Sequence, residues 1–324
     1  MSNKFSKIVS GLTFTGMAAC AAYTVAGNIF VENLLGKNGI KNLIAQGGLM
    51  PSEETDCFYH SEEALKGIEF YRKHVYKDEF MFDKYSKCLR AIYYKNEGSH
   101  LYAISCHGFT GDPSQNNIYA RRFYEMGYNV LLPYLRGHGK SEHNYCTMGR
   151  MESLDIIDWI DYIIDKNPDA KIILHGASMG AATVMMATGE NLPKNVICCI
   201  EDCGFTTLWE QYSVQLRAKT KIPPDIILTM VNSVAKAKLG CSLKEVSPLE
   251  AVQKSKTPTL FIHGDKDDFV PFWMNYPLYK YASCEKERLV VSGATHAASA
   301  YVYPEIYWDA VTKFINKYLY KKDS

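Results

Sequence analysis

Apolar residues fall in short unbroken runs that alternate with stretches where they recur every three or four positions, from about residue 101 to the C-terminus. The short runs predict strands buried on both faces, and the periodic stretches predict amphipathic helices. This gives strand 101–106, helix 115–126, strand 129–134, helix 152–166, strand 170–175, helix 178–189, strand 196–201, strand 258–263, helix 271–282, strand 287–291 and helix 304–319. Upstream, 63–76 is predicted helical and 80–95 reads as an antiparallel hairpin turning near Lys84 to Ser86. The rhythm calls for an α/β fold, a mostly parallel central sheet flanked by helices on both faces. Asp155, Asp158, Asp161 and Asp165 alternate with Leu154, Ile157, Ile160 and Ile164 on helix 152–166, which predicts a solvated helix face rather than a metal site.

One interval breaks the rhythm. Between residues 201 and 257 the chain is longer than a single crossover helix needs, and Pro223-Pro224 divides it into the helical stretches 208–216 and 226–239. A small helical lid over about 205–245 is expected. It would offer Phe205, Trp209, Tyr212 and Met230 to a substrate, although the same residues would equally serve to pack the lid on the body.

The N-terminus differs again. Residues 8–31 carry no charge, and as a helix they would measure roughly 36 Å, enough to cross a hydrocarbon core of ~30 Å. Ser10, Thr13, Thr15, Thr24 and Asn28 dilute its hydrophobicity. A single-pass membrane anchor within residues 1–31 is the first reading, a cleaved signal peptide the second and a buried helix the third. Met17-Ala18-Ala19-Cys20 also resembles a weak lipoprotein cleavage box. Lys4 and Lys7 favour a cytoplasmic N-terminus and so an extracytoplasmic folded domain, although Lys37 and Lys41 on the other flank weaken the asymmetry. Residues 32–78, interrupted by Gly36, Gly39, Gly47 and Gly48, are read as a connector, and 79–320 as the main folded domain.

With 324 residues and 47% hydrophobic content, one large core is expected. The formal charge is +1, and no basic run precedes Lys321-Lys322, so nucleic acid is not an expected partner. The ten cysteines include adjacent Cys198 and Cys199 on a predicted buried strand and read as reduced small hydrophobes, which argues against an oxidising compartment. The histidines and cysteines show no Cys-x-x-Cys, His-x-x-x-His or His-Glu-x-x-His spacing, so no metal is expected. Gly139-Lys140-Ser141 resembles the end of a phosphate loop, but Tyr134 stands where that loop needs its first glycine. Glu142 replaces the third glycine of a dinucleotide fingerprint beginning at Gly137, and no organic cofactor is expected either.

Candidate chemistry centres on Ser178 in Gly176-Ala177-Ser178-Met179-Gly180, between a predicted strand and a predicted helix. Glycines on both sides permit a sharp strand-to-helix turn that exposes the hydroxyl. Taken alone, the pentapeptide fits a glycine-rich turn capped by a serine just as well. A nucleophilic serine also needs a base, an orienting acid and oxyanion donors. Strand 258–263 ends in Gly264-Asp265-Lys266-Asp267-Asp268, and strand 287–291 ends in Ser292-Gly293-Ala294-Thr295-His296, which places His296 as base. The glycine-rich loop His107-Gly108-Phe109-Thr110-Gly111 follows strand 101–106, so the backbone N–H groups of Phe109 and Met179 are the expected oxyanion donors.

These blocks, with Arg136-Gly137-His138-Gly139 between them, resemble the α/β-hydrolase superfamily over roughly residues 87–320. Within it, the chain resembles bacterial membrane-anchored serine hydrolases of esterase or lysophospholipase type. The resemblance implies that the acid of His-Gly-x-x-Asp-x-x-Val-Pro is Asp267, with Asp268 as the fallback and Asp265 a turn residue. It further implies a Ser178, Asp267, His296 triad, an acyl-enzyme, and a small-molecule or lipid ester as substrate. Pro133-Tyr134 departs from the Pro-Asp usual before the Arg-Gly-His-Gly block. A serine peptidase or aminopeptidase on the same fold is the alternative enzyme, and a catalytically idle binding protein the alternative of another class.

Overall fold

The computed structural model describes residues 23–46 and 57–320. Eight strands form one sheet: β1 (Lys77–Phe82), β2 (Cys88–Tyr94), β3 (Leu101–Cys106), β4 (Asn129–Pro133), β5 (Lys171–Ala177), β6 (Val196–Asp202), β7 (Thr259–Gly264) and β8 (Lys286–Val291). Their order is β1-β2-β4-β3-β5-β6-β7-β8. The β1–β2 hairpin joins β4 antiparallel, and every pairing from β4 to β8 is parallel. Strands β5, β6 and β7 are buried over nearly their whole length, which is why they read as continuous apolar runs. Side chains alternate between two cores, with Ile172 and Leu174 entering one and Ile173 the other.

The helices of seven or more residues, in chain order, are α1 (residues 23–34), α2 (Lys37–Ala45), α3 (Glu62–Lys73), α4 (Asn117–Glu125), α5 (Arg150–Lys166), α6 (Met179–Thr188), α7 (Leu208–Lys219), α8 (Pro224–Leu239), α9 (Pro248–Lys254), α10 (Asn275–Tyr281) and α11 (Pro304–Leu319). Helices α5 and α6 pack on one face of the sheet through Ile156, Trp159 and Val184. Helices α3, α4 and α11 cover the other through Phe70, Phe123 and Phe314. The excursion after β6 forms the expected pair of lid helices, α7 and α8. Pro224 starts α8 at its first helical position, where a missing N–H costs nothing, and Gly240 ends it in the left-handed conformation.

Expectations for two regions are corrected, the N-terminus first. The proposed anchor does not run to Val31, because α1 lies against the lid and the body. Val31 is fully buried, and a Cβ on Gly27 would stand 2.6 Å from Val234 Cγ2. Residues 1–22 of that segment lie outside the described residues. No single helix among the described residues is long and apolar enough to cross a membrane. The connector is likewise part of the body at its start: Leu35 and Ile40 are buried in the core, and Gly36 bridges to Tyr145.

Asp155 is the second correction. It does not share a solvated face with its neighbours but is 4% exposed, and both its oxygens accept from Arg136, Nε and Nη2 each at 2.6 Å. Arg136 also reaches Asp83 at 3.2 Å, and His143 Nε2 lies 2.8 Å from Asp83 Oδ2. The guanidinium already supplies the positive charge that these converging carboxylates require.

Candidate active site

Strand β5 runs through Ala177 and α6 begins at Met179, so the whole reversal falls on Ser178, with φ 56° and ψ −117°. Such a backbone is strained for a residue with a Cβ and persists only where the surroundings enforce it. Both flanking glycines are required by close approach. A Cβ on Gly176 would lie 2.2 Å from Gly180 O, and one on Gly180 would lie 2.1 Å from Cys106 O. Thr110, Met148, Cys203 and Ala297 also have positive φ and lie beside Asp267 and His296 or line the adjoining cavities.

The structure brings the three side chains expected to act together into contact. His296 Nε2 is 2.9 Å from Ser178 Oγ, and His296 Nδ1 is 2.7 Å from Asp267 Oδ2. Asp267 Oδ1 accepts from the Val270 N–H at 2.9 Å. The other end of the carboxylate meets His263 Nε2 at 3.2 Å, and that nitrogen also donates to Val270 O at 2.9 Å. Burial alone would raise the Asp267 carboxyl, but His296 and His263 outweigh it and hold the pKa at about 2. Asp268 is exposed, and Asp265 accepts from Gly293 N at 2.7 Å and Ser292 Oγ at 3.0 Å, bracing the loop that delivers His296.

The loop after β3 is held by two histidines. His107 Nδ1 donates to Gly108 O at 2.8 Å while its Nε2 accepts from Leu135 N at 3.2 Å. His138 mirrors it, donating from Nδ1 to Arg136 O at 2.8 Å and accepting from Thr110 N at 3.2 Å. Each ring is therefore a neutral tautomer, and burial pushes its pKa down, to about 4 for His107 and about 3 for His138. Gly108 lies so close to the turn that a Cβ there would sit 3.5 Å from Ser178 Cβ. Among the described residues no acceptor occupies the N–H of Phe109 or Met179. Met179 N is one of the orphan donors of a helix first turn. Tyr134, at the position that departs from the family pattern, packs its ring against Gly139, where a Cβ would meet it at 2.5 Å.

A sequence model of the alpha/beta hydrolase fold matches residues 104–245. The uncharacterized protein YqkD of Bacillus subtilis (strain 168) is 30% identical over 214 residues, covering 66% of this chain and 70% of that protein. The chain belongs to the α/β-hydrolase superfamily. Among solved structures, this α/β-hydrolase resembles the Pyrococcus furiosus esterase Pf2001, with 25% identity and a TM-score of 0.61 over 76% of this chain and 93% of the esterase. It shares its fold with the Pyrococcus horikoshii acylaminoacyl peptidase at 18% identity and a TM-score of 0.56, over 80% of this chain and 45% of the peptidase.

Two cavities of the α/β-hydrolase meet at Ser178. One, of about 190 Å³, runs under the lid and is almost wholly apolar, lined by Phe109, Met179, Phe205, Tyr212, Leu216 and others. The second, of about 540 Å³, opens past His296 and mixes apolar side chains with Ser114, Gln115, Asn116 and Asn117. Of the four residues proposed to meet substrate, Phe205 and Tyr212 line the apolar cavity. Trp209 instead donates from Nε1 to Asp225 Oδ1 at 3.2 Å, with Lys244 Nζ 4.8 Å above its ring. Met230 packs toward α1 at Gly27.

Sequence reasoning did not single out Phe30, Leu34, Met148, Gln211, Gln215 or Phe269, all of which line the apolar cavity. Gln211 and Gln215 share one face of α7, and their i, i+4 spacing is the only local signal of that pairing.

Proposed function

We propose that this α/β-hydrolase is a serine esterase that cleaves acyl or lipid-like carboxylic esters through an acyl-enzyme. His296 Nε2 takes the proton of Ser178 Oγ as the oxygen attacks the ester carbonyl. Asp267 keeps the imidazole oriented and stabilises its charged form. The N–H groups of Phe109 and Met179 receive the oxyanion. His296 then protonates the leaving alcohol, and water repeats the sequence on the acyl-Ser178 ester. The observation that carries this reading is the 2.9 Å contact between Ser178 Oγ and His296 Nε2 at the meeting point of an apolar and a mixed, partly polar cavity. An acyl chain suits the first and an alcohol of appreciable size the second. No Asp or Glu lines either cavity among the described residues, so neither offers a carboxylate to a peptide amino terminus, which favours the esterase over the aminopeptidase reading.

The test is fluorophosphonate labelling and p-nitrophenyl ester turnover by wild type, Ser178→Ala and His296→Ala. Labelling and turnover by the wild type alone are expected. A Ser178→Ala protein that retains near-normal turnover would reject the assignment.

The proposal includes membrane attachment through the uncharged sequence preceding the packed part of α1. Residues 8–26 would measure roughly 28 Å as a helix, still close to a bilayer core. Full-length protein should stay with the membrane pellet after an alkaline carbonate wash, and recovery in the supernatant would remove this part of the reading.

A further inference from the structure

Helix α1 lies upstream of the residues matching the hydrolase family, yet Phe30 and Leu34, one helical turn apart, line the apolar cavity together with Ser178. It is tied in place at several points. Gly27 allows close contact with α8 at Met230 and Val234, and Glu32 pairs with Lys238 and accepts from Tyr145 Oη at 2.8 Å. At its end, Leu35 O accepts from Cys146 N at 2.7 Å, and Val31 and Leu35 are buried in the core. The opposite face is bare, with Val25 59% and Ile29 57% exposed.

We propose that α1 forms one wall of an acyl-chain binding site and that Phe30 and Leu34 set the length of chain it accepts. The site's lining is mostly aliphatic and aromatic, with exposed Lys219 at its edge, and the two glutamines in it direct their amide N–H groups to Phe269 O rather than to the cavity. A chain methylene entering such a space leaves water without losing a hydrogen bond, and one that does not fit meets a close-packed wall. Because α1 is fastened to both lid and body, the wall holds its position and can discriminate by length. The ligand class is a single unbranched acyl chain on an ester whose alcohol occupies the larger cavity.

The kinetic readout rests on the esterase reading above, so the experiment pairs it with binding. In full-length protein, Phe30→Ala and Leu34→Ala enlarge the site, and Phe30→Trp and Leu34→Trp narrow it. Ile29→Ala on the exposed face is the control. Across p-nitrophenyl esters from acetyl to palmitoyl, the alanine variants should move the optimum to longer chains and the tryptophan variants to shorter ones. At the ester next longer than the wild-type optimum, kcat/KM should change about tenfold. Ile29→Ala should stay within about twofold of wild type throughout. An unchanged optimum in all four variants, with labelling and melting intact, overturns the proposal. Where one variant unfolds, the oppositely directed substitution at the same position decides.

The same variants in a Ser178→Ala background are titrated with saturated fatty acids that displace a naphthalene sulfonate dye. If the wild type hydrolyses no ester, the esterase reading fails on its own. A shift in the preferred fatty-acid length then upholds the wall, and no shift overturns it.

Discussion

Gln211 Nε2 donates to the carbonyl oxygen of Phe269 at 2.7 Å, so the first lid helix is hydrogen-bonded to the loop that carries Asp267. Gln215 Nε2 makes a second bond to the same oxygen at 2.8 Å, and the Phe269 ring lies 4.9 Å from that of His296. The first lid helix is therefore coupled to the loop of Asp267 and to the ring of His296 as well as lining the cavity.

Removing both amides should loosen this coupling. For Gln211→Met with Gln215→Met, kcat/KM on a short-chain ester is expected to fall about tenfold through misplacement of His296. Unfolding free energy should fall by about 1–2 kcal/mol, one carbonyl having lost its donors. Steady-state kinetics and urea titration measure the two effects. A full rate with lowered stability would confine the glutamines to a structural role.

Asp267 and Asp268 are neighbours with different surroundings, one buried against His296 and the other exposed. Asp267→Asn should lower kcat by about 10³- to 10⁴-fold, since the amide favours the wrong imidazole tautomer. Asp268→Asn should leave it within about twofold. Equal losses in the two variants would displace Asp267 from its assigned part.

Gly180→Ala should not be tolerated. The new Cβ would stand 2.1 Å from Cys106 O, a backbone atom that cannot move without shifting β3. A loss of about 3 kcal/mol is expected, with reduced fluorophosphonate labelling of whatever folds. Calorimetry with labelling of the folded fraction checks both, and a protein as stable and as reactive as wild type would contradict the packing at this turn.

His107, His138 and His175 give the fold a definite response to acid. Burial lowers their pKa from 6.5 to about 4, about 3 and about 3, respectively. Unfolded chains therefore take up protons first as pH falls. The stability these rings contribute is complete above about pH 6.5 and is lost progressively as pH falls from there toward the folded values, by roughly 2 kcal/mol per histidine at about pH 5. Tm should drop steadily over that range, and His138→Gln should flatten the slope. A Tm that stays level from pH 7 to about pH 5 would show that these rings are not held neutral.

The strand–helix alternation, the hairpin, the paired helices after β6 and the turns carrying Ser178 and His296 were legible because each depends on a few consecutive residues, whereas Asp267 was singled out from its neighbours Asp265 and Asp268 only by the family resemblance. A buried parallel strand must be an apolar run, and a strand that reverses in one residue must be flanked by glycine. The tertiary structure decided what local pattern leaves open. An uncharged stretch such as 8–31 has the same composition whether lipid or protein covers it, and only the facing surface of α8 and the loop 144–146 shows that Val31 belongs to the core. Helical periodicity could not single out Asp155 from its three neighbours, because the Arg136 that pairs with it arrives from the turn after β4. In the same way, α7 meets Phe269 across more than fifty residues of chain. Contacts of that kind arise from how finished elements pack against one another, and no window of sequence contains both partners.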